Sequence, residues 1–200
     1  MKKEMLWLYM SIFVGLLVAA AYQATKLCQW GDLVFPAAVI SYAFTFAMTD
    51  AIAEVWGKAV ARKVVMIGFA VLVLAMFANY ISLLLPAAPW FDDSAYQSVV
   101  GSSGRIIVAS LIAYIASQTH DVWAFHMWKE KTKGRFLWWR NNASTLVSQA
   151  IDTTIFITLA FYGVVPDILA LIAGQYIIKL LIALADTPVV YGLVLSLIHI

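Results

Sequence analysis

Polar side chains recur at helical spacing within an otherwise apolar part of this sequence. In the stretch RNNASTLVSQAIDTTIF, residues 140–156, four polar positions and one aromatic position lie four, four, three and four residues apart: Asn141, Thr145, Gln149, Asp152 and Phe156. At about 100° per residue, this spacing keeps them on one face of a helix. A carboxylate accepts two parallel N–H hydrogen bonds, amides donate and accept, and an aromatic ring stacks on a flat solute. The face therefore predicts a binding site for a small, flat, hydrogen-bonding molecule.

Three other apolar segments carry polar faces of the same kind. Their members are Tyr42, Phe46, Asp50 and Glu54; then Ser110, Tyr114, Ser117, Gln118, Asp121 and Phe125; and finally Gln175, Lys179 and Asp186. The first two sets mix carboxylates or amides with aromatic or hydroxyl groups, and the third combines an amide, an amine and a carboxylate. We therefore expect several helices to contribute to one polar, aromatic-lined cavity.

The composition requires these segments to lie in a membrane. Hydrophobic residues make up 64% of the 200 residues and charged residues 12%, and the mean hydropathy is +0.88. A soluble domain of this length could not bury so much apolar surface. In a bilayer each segment must satisfy its own backbone hydrogen bonds, which favours helices. The fold class expected is all-α, a polytopic protein with these six spans: 6–24, 34–56, 64–85, 106–125, 142–163 and 168–190.

The distribution of basic residues predicts the orientation of these spans. Ten Lys or Arg residues lie at the amino end and in the connections on the same side, and only Lys26 and Arg105 lie on the opposite side. Basic residues accumulate on the cytoplasmic side, so both termini are expected in the cytoplasm. Because topology accounts for the basic residues, we expect no nucleic-acid partner.

The ionisable residues at depth are the best indicators of function. Counted at about 1.5 Å per residue, Asp152 and Lys179 both lie near the middle of their spans, where each could neutralise the other. Because charge at depth is costly, we interpret Asp50, Asp121 and Asp152 as functional, with structural ion pairs as the alternative. For Lys179, a structural and a coupling role stand equal. The Ser and Thr hydroxyls more simply join helices by hydrogen bonds.

Other features are expected to carry no chemistry. The single cysteine excludes an internal disulfide, and no metal cluster or nucleophile–base pair is evident, so we expect no metal, no cofactor and no enzyme activity. The GSSG stretch, residues 101–104, is interpreted as a flexible connection. Residues 195–200, LSLIHI, match the in-frame product of a sequencing-adapter end. We therefore expect one domain over residues 1–194 and a non-native tail over 195–200, the alternative being a genuine apolar tail.

Three longer blocks resemble a known family. They read TDAIAEVWGKAVAR at 49–62, ASLIAYIASQTHDVWAF at 109–125, and LWWRNNASTLVSQAIDTTIF at 137–156. In this order they are similar to the queuosine precursor transporters, a vitamin-uptake-transporter-like group of bacterial inner-membrane proteins. The similarity extends to a pattern formed by Lys179, Thr187 and Pro188. The resemblance implies six helices and import of 7-deazaguanines, chiefly 7-cyano-7-deazaguanine and its aminomethyl analogue, for tRNA modification.

The resemblance also selects residues for the binding site. It points to Asp50, Glu54, Gln118, Asp121, Asn141, Asn142, Gln149 and Asp152. To these the helical spacing adds Tyr42 and Phe46. The sequence departs from the family's pattern at the Thr-His pair of SQTHD and in the tail.

Two functions from different classes remain open on the sequence. The first is a stand-alone importer of a small deazapurine, coupled to protons through a buried carboxylate or driven by trapping of the substrate. The second is the substrate-binding S component of a vitamin transporter energised by separate ATPases, because such subunits dock through small residues on their first helix and Ala20 and Ala24 have that spacing. A homodimer is also left open.

Overall fold

A computed structural model describes residues 2–131 and 137–182 of the chain. Within these ranges the side chains of 2–3, 43, 46–47, 50, 53–54, 58, 118, 121–122, 125–126, 128–130 and 137–145 are excluded from the description. The described part contains six helices and one β-hairpin. In chain order they are α1 Lys2–Gln23, β1 Leu27–Trp30, β2 Leu33–Pro36, α2 Ala38–Trp56, α3 Lys58–Leu84, α4 Ser94–Lys131, α5 Leu137–Phe161 and α6 Ile168–Ile182.

The helices are those of a multi-pass membrane protein. Three of the described helices contain stretches long and apolar enough to cross a bilayer, namely Glu4–Gln23, Ala59–Leu84 and Ser94–Ser117. Two shorter apolar helices cover Leu146–Phe161 and Ile168–Ile182. Many large apolar side chains, such as Leu74 and Phe77 of α3, are exposed on the outside of the bundle. In a bilayer these side chains contact lipid, so their exposure is favourable there.

Two helices begin earlier than the sequence predicts. The structure starts α3 at Lys58 and α4 at Ser94, so the prediction of a flexible connection at residues 101–104 is wrong. Ser103 is fully buried and donates a hydrogen bond to Val100 O at 2.6 Å. Asn79 Nδ2 of α3 donates to Ser103 Oγ at 3.2 Å. These contacts, made where α3 packs on α4, hold the Gly- and Ser-rich stretch in a helix despite its low helix propensity.

The described chain is mostly helical, as the sequence predicts, but a short β-hairpin that the sequence does not predict connects α1 to α2. Antiparallel β1 and β2 pair from Leu27 with Pro36 to Trp30 with Leu33. Gly31 has φ 60° in the two-residue turn, a conformation that glycine adopts without strain. The backbone of Val34 lies directly against Gly174 of α6, where a Cβ atom would collide with it. The hairpin is therefore packed onto the bundle.

Polar contacts hold the ends of two helices. Arg105 of α4 donates hydrogen bonds from Nε to Leu159 O at 2.6 Å and from Nη2 to Tyr162 O at 2.8 Å. These carbonyls at the end of α5 lack helical partners, and a cation is favourable there. At the start of α4, hydrogen bonds from Ser94 lower the pKa of Asp92 below its ordinary value, and the Ser94 N–H lies 3.0 Å from Asp92 Oδ1.

Apolar packing forms two clusters. One joins α1, α2, α3 and α4 around Ile52 and Leu72. The other joins α1, α2, α4, α5 and α6 around Ile157 and contains Ala20 and Ala24. Because Ala20 and Ala24 are 0% and 1% exposed, they pack inside this chain. These two side chains are thus not available on the surface for docking a separate subunit.

Candidate binding cavity

A cavity of about 230 Å³ lies between the helices and beneath the hairpin. Every helix, together with the last residue of β2, contributes to its wall. The lining consists of Phe13, Leu17, Pro36, Ala38, Val39, Tyr42, Thr45, Thr49, Val65, Phe69, Ser110, Ala113, Tyr114, Asp152, Phe156, Gln175 and Lys179. An apolar wall with a few convergent polar groups is typical of small-molecule sites.

An ion pair lies at one side of this cavity. Lys179 Nζ of α6 is 2.7 Å from Asp152 Oδ2 of α5, and the two side chains are only 11% and 22% exposed, respectively. Ser117 Oγ of α4 is 3.5 Å from Asp152 Oδ1 and also donates to Tyr114 O at 3.1 Å. Each charge compensates the other where water is scarce, which is the condition for keeping both ionised at depth.

The Gln175 side chain lies one helical turn before Lys179 on α6. Gln175 is 5% exposed and lines the cavity. Its Oε1 atom is buried and has no hydrogen-bond partner. Buried polar atoms usually have partners, so an exception in a cavity wall indicates a group kept for a ligand or a water.

Aromatic rings form much of the remaining wall. Phe69 of α3 and Tyr114 of α4 meet edge to face, with ring centroids 4.5 Å apart and an interplanar angle of 73°. Phe156 of α5 lines the cavity and meets Phe161 edge to face at 6.0 Å. Tyr42 of α2 shares a side-chain hydrogen bond with Ser110. Such fixed rings favour a flat ligand, because stacking and edge contacts need planar partners.

The structure brings together part of the binding site that the sequence predicts. Tyr42 and Asp152 line the cavity, and Lys179 pairs with Asp152 inside it. Gln149 is half-buried on α5 and is not part of the cavity lining. Other predicted site residues lie outside the described side chains: Phe46, Asp50, Glu54, Gln118, Asp121, Asn141 and Asn142. The predicted tail, residues 195–200, also lies outside the described residues.

Two polar residues of the wall belong to none of the polar faces that the sequence predicts. Thr45 and Thr49 follow Tyr42 by three and seven positions and line the cavity with it. Thr45 Oγ1 donates to Tyr42 O at 2.6 Å. Their spacing from Tyr42 is that of one helix face, so the signal was present in the sequence. The prediction instead selects the nearby carboxylates Asp50 and Glu54, which lie on a neighbouring face of α2.

The described side chains include no metal centre. Within residues 2–131 and 137–182, as far as side chains are described, no three His, Cys, Asp or Glu residues are grouped so as to hold an ion. The polar groups that do converge on the cavity are the ion pair, one amide and several hydroxyls. These groups can bind a neutral or zwitterionic organic molecule by hydrogen bonds.

Apolar helices that surround such a cavity define a multi-pass membrane transporter. Comparison with known proteins gives the family. The profile of a family described as "Putative vitamin uptake transporter" matches residues 36–193. The chain is 35% identical to a "Probable queuosine precursor transporter" of Bacillus subtilis (strain 168) over 179 residues, which cover 88% of this chain and 78% of that protein. The chain belongs to the queuosine precursor transporter family, as the resemblance in its sequence predicts.

Two further relatives have the same description. The "Queuosine precursor transporter" of Escherichia coli (strain K12) is 27% identical over 209 residues, covering 98% of this chain and 88% of that protein. A "Probable queuosine precursor transporter" of Haemophilus influenzae is 29% identical over 182 residues, covering 84% and 69%. No solved structure matches the chain. The chain is thus a multi-pass transporter of the bacterial inner membrane rather than an enzyme, with a small molecule and the lipid bilayer as its partners.

Proposed function

We propose that this protein imports a queuosine precursor, 7-cyano-7-deazaguanine or its 7-aminomethyl analogue, for use in tRNA modification. The names of its relatives support the substrate class. The observation that carries the proposal is the Asp152–Lys179 pair in the wall of an aromatic-lined cavity. Its donor and acceptor pattern complements one edge of a deazaguanine.

The complementarity follows from the chemistry of the base. On one edge, a deazaguanine presents a ring N–H and an exocyclic amine next to a carbonyl oxygen. A carboxylate accepts the two adjacent N–H groups, and an ammonium donates to the carbonyl. Asp152 and Lys179 compensate each other's charge. A base that offers N–H donors to the carboxylate and a carbonyl oxygen to the ammonium can bind between the two groups and leave neither charge uncompensated. A purely apolar ligand offers no such groups.

The aromatic wall supplies affinity for the ring faces. Phe69, Tyr114 and Phe156 all line the cavity, and offset or edge contacts with a flat heterocycle are each worth about 0.5–1.5 kcal/mol. Further hydrogen-bonding groups are proposed from the sequence. These are Asp50, Glu54, Gln118, Asp121, Asn141, Asn142 and Gln149, with Phe46 as an additional aromatic group.

The proposed topology has six membrane-spanning helices with both termini in the cytoplasm. The distribution of Lys and Arg supports it, since ten of the thirteen lie on the side of the amino end. This orientation places the hairpin and the cavity beneath it toward the outside of the cell. The proposed cargo is a free base, and no contact with nucleic acid is proposed.

The competing function, an S component energised by ATPases, loses the feature that suggested it. Ala20 and Ala24 are buried within the bundle, so they do not present a docking surface. Uptake measured in cells that lack the ATPase subunits of vitamin transporters separates the two functions. A stand-alone importer retains full uptake there, and an S component loses it. Co-purification of those ATPases with this chain would favour the S component.

Complementation tests the substrate. The gene is expressed in a strain that cannot synthesise the precursors and lacks its own importer, and the cells are fed the cyano or the aminomethyl base. Queuosine in tRNA is then measured by mass spectrometry. We expect it to be restored at low external precursor concentration, where the empty vector gives none. Absence of queuosine at every concentration, with the protein detected in the membrane, would contradict the proposal.

A further inference from the structure

The amide oxygen of Gln175 is an unused acceptor in the wall of the cavity. Several other polar side chains of the wall have partners in the structure: Asp152 pairs with Lys179, Ser110 bonds Tyr42, and Thr45 donates to a carbonyl. Among the described side chains that line the cavity, Gln175 alone contributes a buried oxygen that lacks a hydrogen bond.

Burial of this oxygen without a donor is unfavourable. A buried acceptor without a donor loses the hydrogen bonds that water gave it in the unfolded chain. Gln175 is 5% exposed, and its position on α6 is one helical turn from Lys179, on the same face. A ligand that binds the ion pair therefore lies close to the face of α6 that carries Gln175.

The ligand chemistry identifies the donors that remain. If the Asp152–Lys179 pair binds the edge with the lactam and the exocyclic amine, as proposed above, two donors of the cyano base are left. One is the second N–H of the exocyclic amine, beside the bound edge, and the other is the pyrrole N–H, on the opposite side of the rigid ring. In a nucleoside this nitrogen carries the sugar and has no hydrogen to donate.

We infer that Gln175 Oε1 accepts a hydrogen bond from the pyrrole N–H of the transported base and thereby selects the free base over its nucleoside. The inference rests on the proposed function, because it assigns a second contact within the same site. It makes Gln175 a determinant of specificity. A site built around a buried acceptor discriminates strongly against a ligand that leaves that acceptor unpaired.

The chain contains a matched control for this group. Thr153 Oγ1 of α5 is the second buried side-chain atom without a partner in the described part. Thr153 is fully buried but is not part of the cavity lining. Replacing Thr153 by Val removes an unpaired oxygen in the same bundle at nearly constant volume, without altering the wall of the cavity.

Binding measurements on the purified protein in nanodiscs test the inference. The probes are 7-cyano-7-deazaguanine, its derivative methylated at the pyrrole nitrogen, and its nucleoside. The proteins are wild type, Gln175→Met and Thr153→Val. Wild type and Thr153→Val should bind the cyano base and bind the methylated base at least about tenfold more weakly. Gln175→Met should bind the cyano base about tenfold to hundredfold more weakly and should no longer separate it from the methylated base.

Thermal unfolding without ligand excludes a merely structural role. Met has a similar length and no acceptor, so Gln175→Met should unfold at the same or a higher temperature than wild type. If it binds the cyano base as wild type does, the inference is overturned while the proposed function stands. An equal loss of binding for both bases, with a lower unfolding temperature, also overturns it. Failure of wild type to bind any of the probes overturns the proposed function and this inference together.

Discussion

Lys179 Nζ lies 2.7 Å from Asp152 Oδ2, and this ion pair joins α6 to α5 inside the bundle. Neutralising one member by Asp152→Asn or Lys179→Gln leaves the other charge without its partner. Breaking a buried pair costs about 3–5 kcal/mol, so each single variant should give much less folded protein. The double variant removes both charges and should recover part of the yield. Size-exclusion profiles and thermal unfolding in detergent measure these differences.

The same variants separate the folding role of the pair from its role in transport. The double variant should remain defective in uptake even where it folds, because the edge of the base then loses its charged partners. If the double variant is as unstable as the sum of the two single variants, the residues do not interact energetically.

Asp50 on α2 is the next carboxylate to test. It lies two turns beyond Tyr42, which lines the cavity, and we predict that Asp50→Asn weakens uptake while the protein stays folded. Losing a charged hydrogen bond commonly costs about 1.5–3 kcal/mol, or roughly tenfold to hundredfold in affinity. Asp32→Asn, in the exposed hairpin turn, is the matched control and should transport normally. Uptake kinetics of Asp50→Asn equal to wild type would remove Asp50 from the site.

Two members of the α5 face that the sequence predicts, Asp152 and Phe156, line the cavity, whereas the groups that surround them could not be predicted. Burial cost identifies Asp152 and Lys179, and equal depth in their helices predicts that they pair. Periodicity alone does not show which of two adjacent faces of α2 lines a cavity. The prediction therefore selects the nearby carboxylates rather than the hydroxyls of Thr45 and Thr49. The helical conformation of residues 101–104 depends on contacts between Ser103 and Asn79 that local propensity does not contain.

The sequence does not predict the hairpin either, because the contact that stabilises it is also made with a distant part of the chain. Nine residues, 25–33, separate the first two predicted spans and have the length of an ordinary connection. Only the turn at Gly31 and Asp32 signals paired strands. What stabilises the pairing is packing against α6, and the partner in that contact lies far away in the sequence at Gly174.

Gly174→Ala should disturb the hairpin and the cavity together. The added methyl group would collide with the backbone of Val34, which cannot move aside as a flexible side chain can. Overpacking of this kind typically costs about 1–3 kcal/mol, and because the neighbouring Pro36 lines the cavity, uptake should fall as well. Thermal unfolding and uptake measure the two effects.

Gly15→Ala is the control for that substitution. Gly15 lies within α1 and has open space where a Cβ atom would be added. Ala should therefore be neutral or stabilising by up to about 1 kcal/mol, through its higher helix propensity. If Gly174→Ala is as well tolerated as Gly15→Ala, the hairpin does not pack on α6 as described.

Arg105 should stabilise the end of α5. Its guanidinium donates to two carbonyls, those of Leu159 and Tyr162, and a lysine cannot reproduce that fork. Because Arg105 is exposed, we expect Arg105→Met to lose only about 1 kcal/mol, which lowers the unfolding temperature by about 2–4 °C for a chain of this size. Arg105→Lys should recover part of the loss. Lys26→Met, another basic residue removed from the same side, should leave the unfolding temperature unchanged.

The hairpin gives the protein a built-in spectroscopic reporter. The single cysteine of the chain, Cys28, lies on β1 opposite Phe35, one residue before the cavity-lining Pro36. One environment-sensitive dye attached to this thiol therefore labels the wild-type chain uniquely, with no cysteine to remove beforehand. The emission of the dye would report any movement of the hairpin when the deazaguanine base is added. The rate at which a membrane-impermeant maleimide reaches the same thiol on intact cells would show which side of the membrane the hairpin faces.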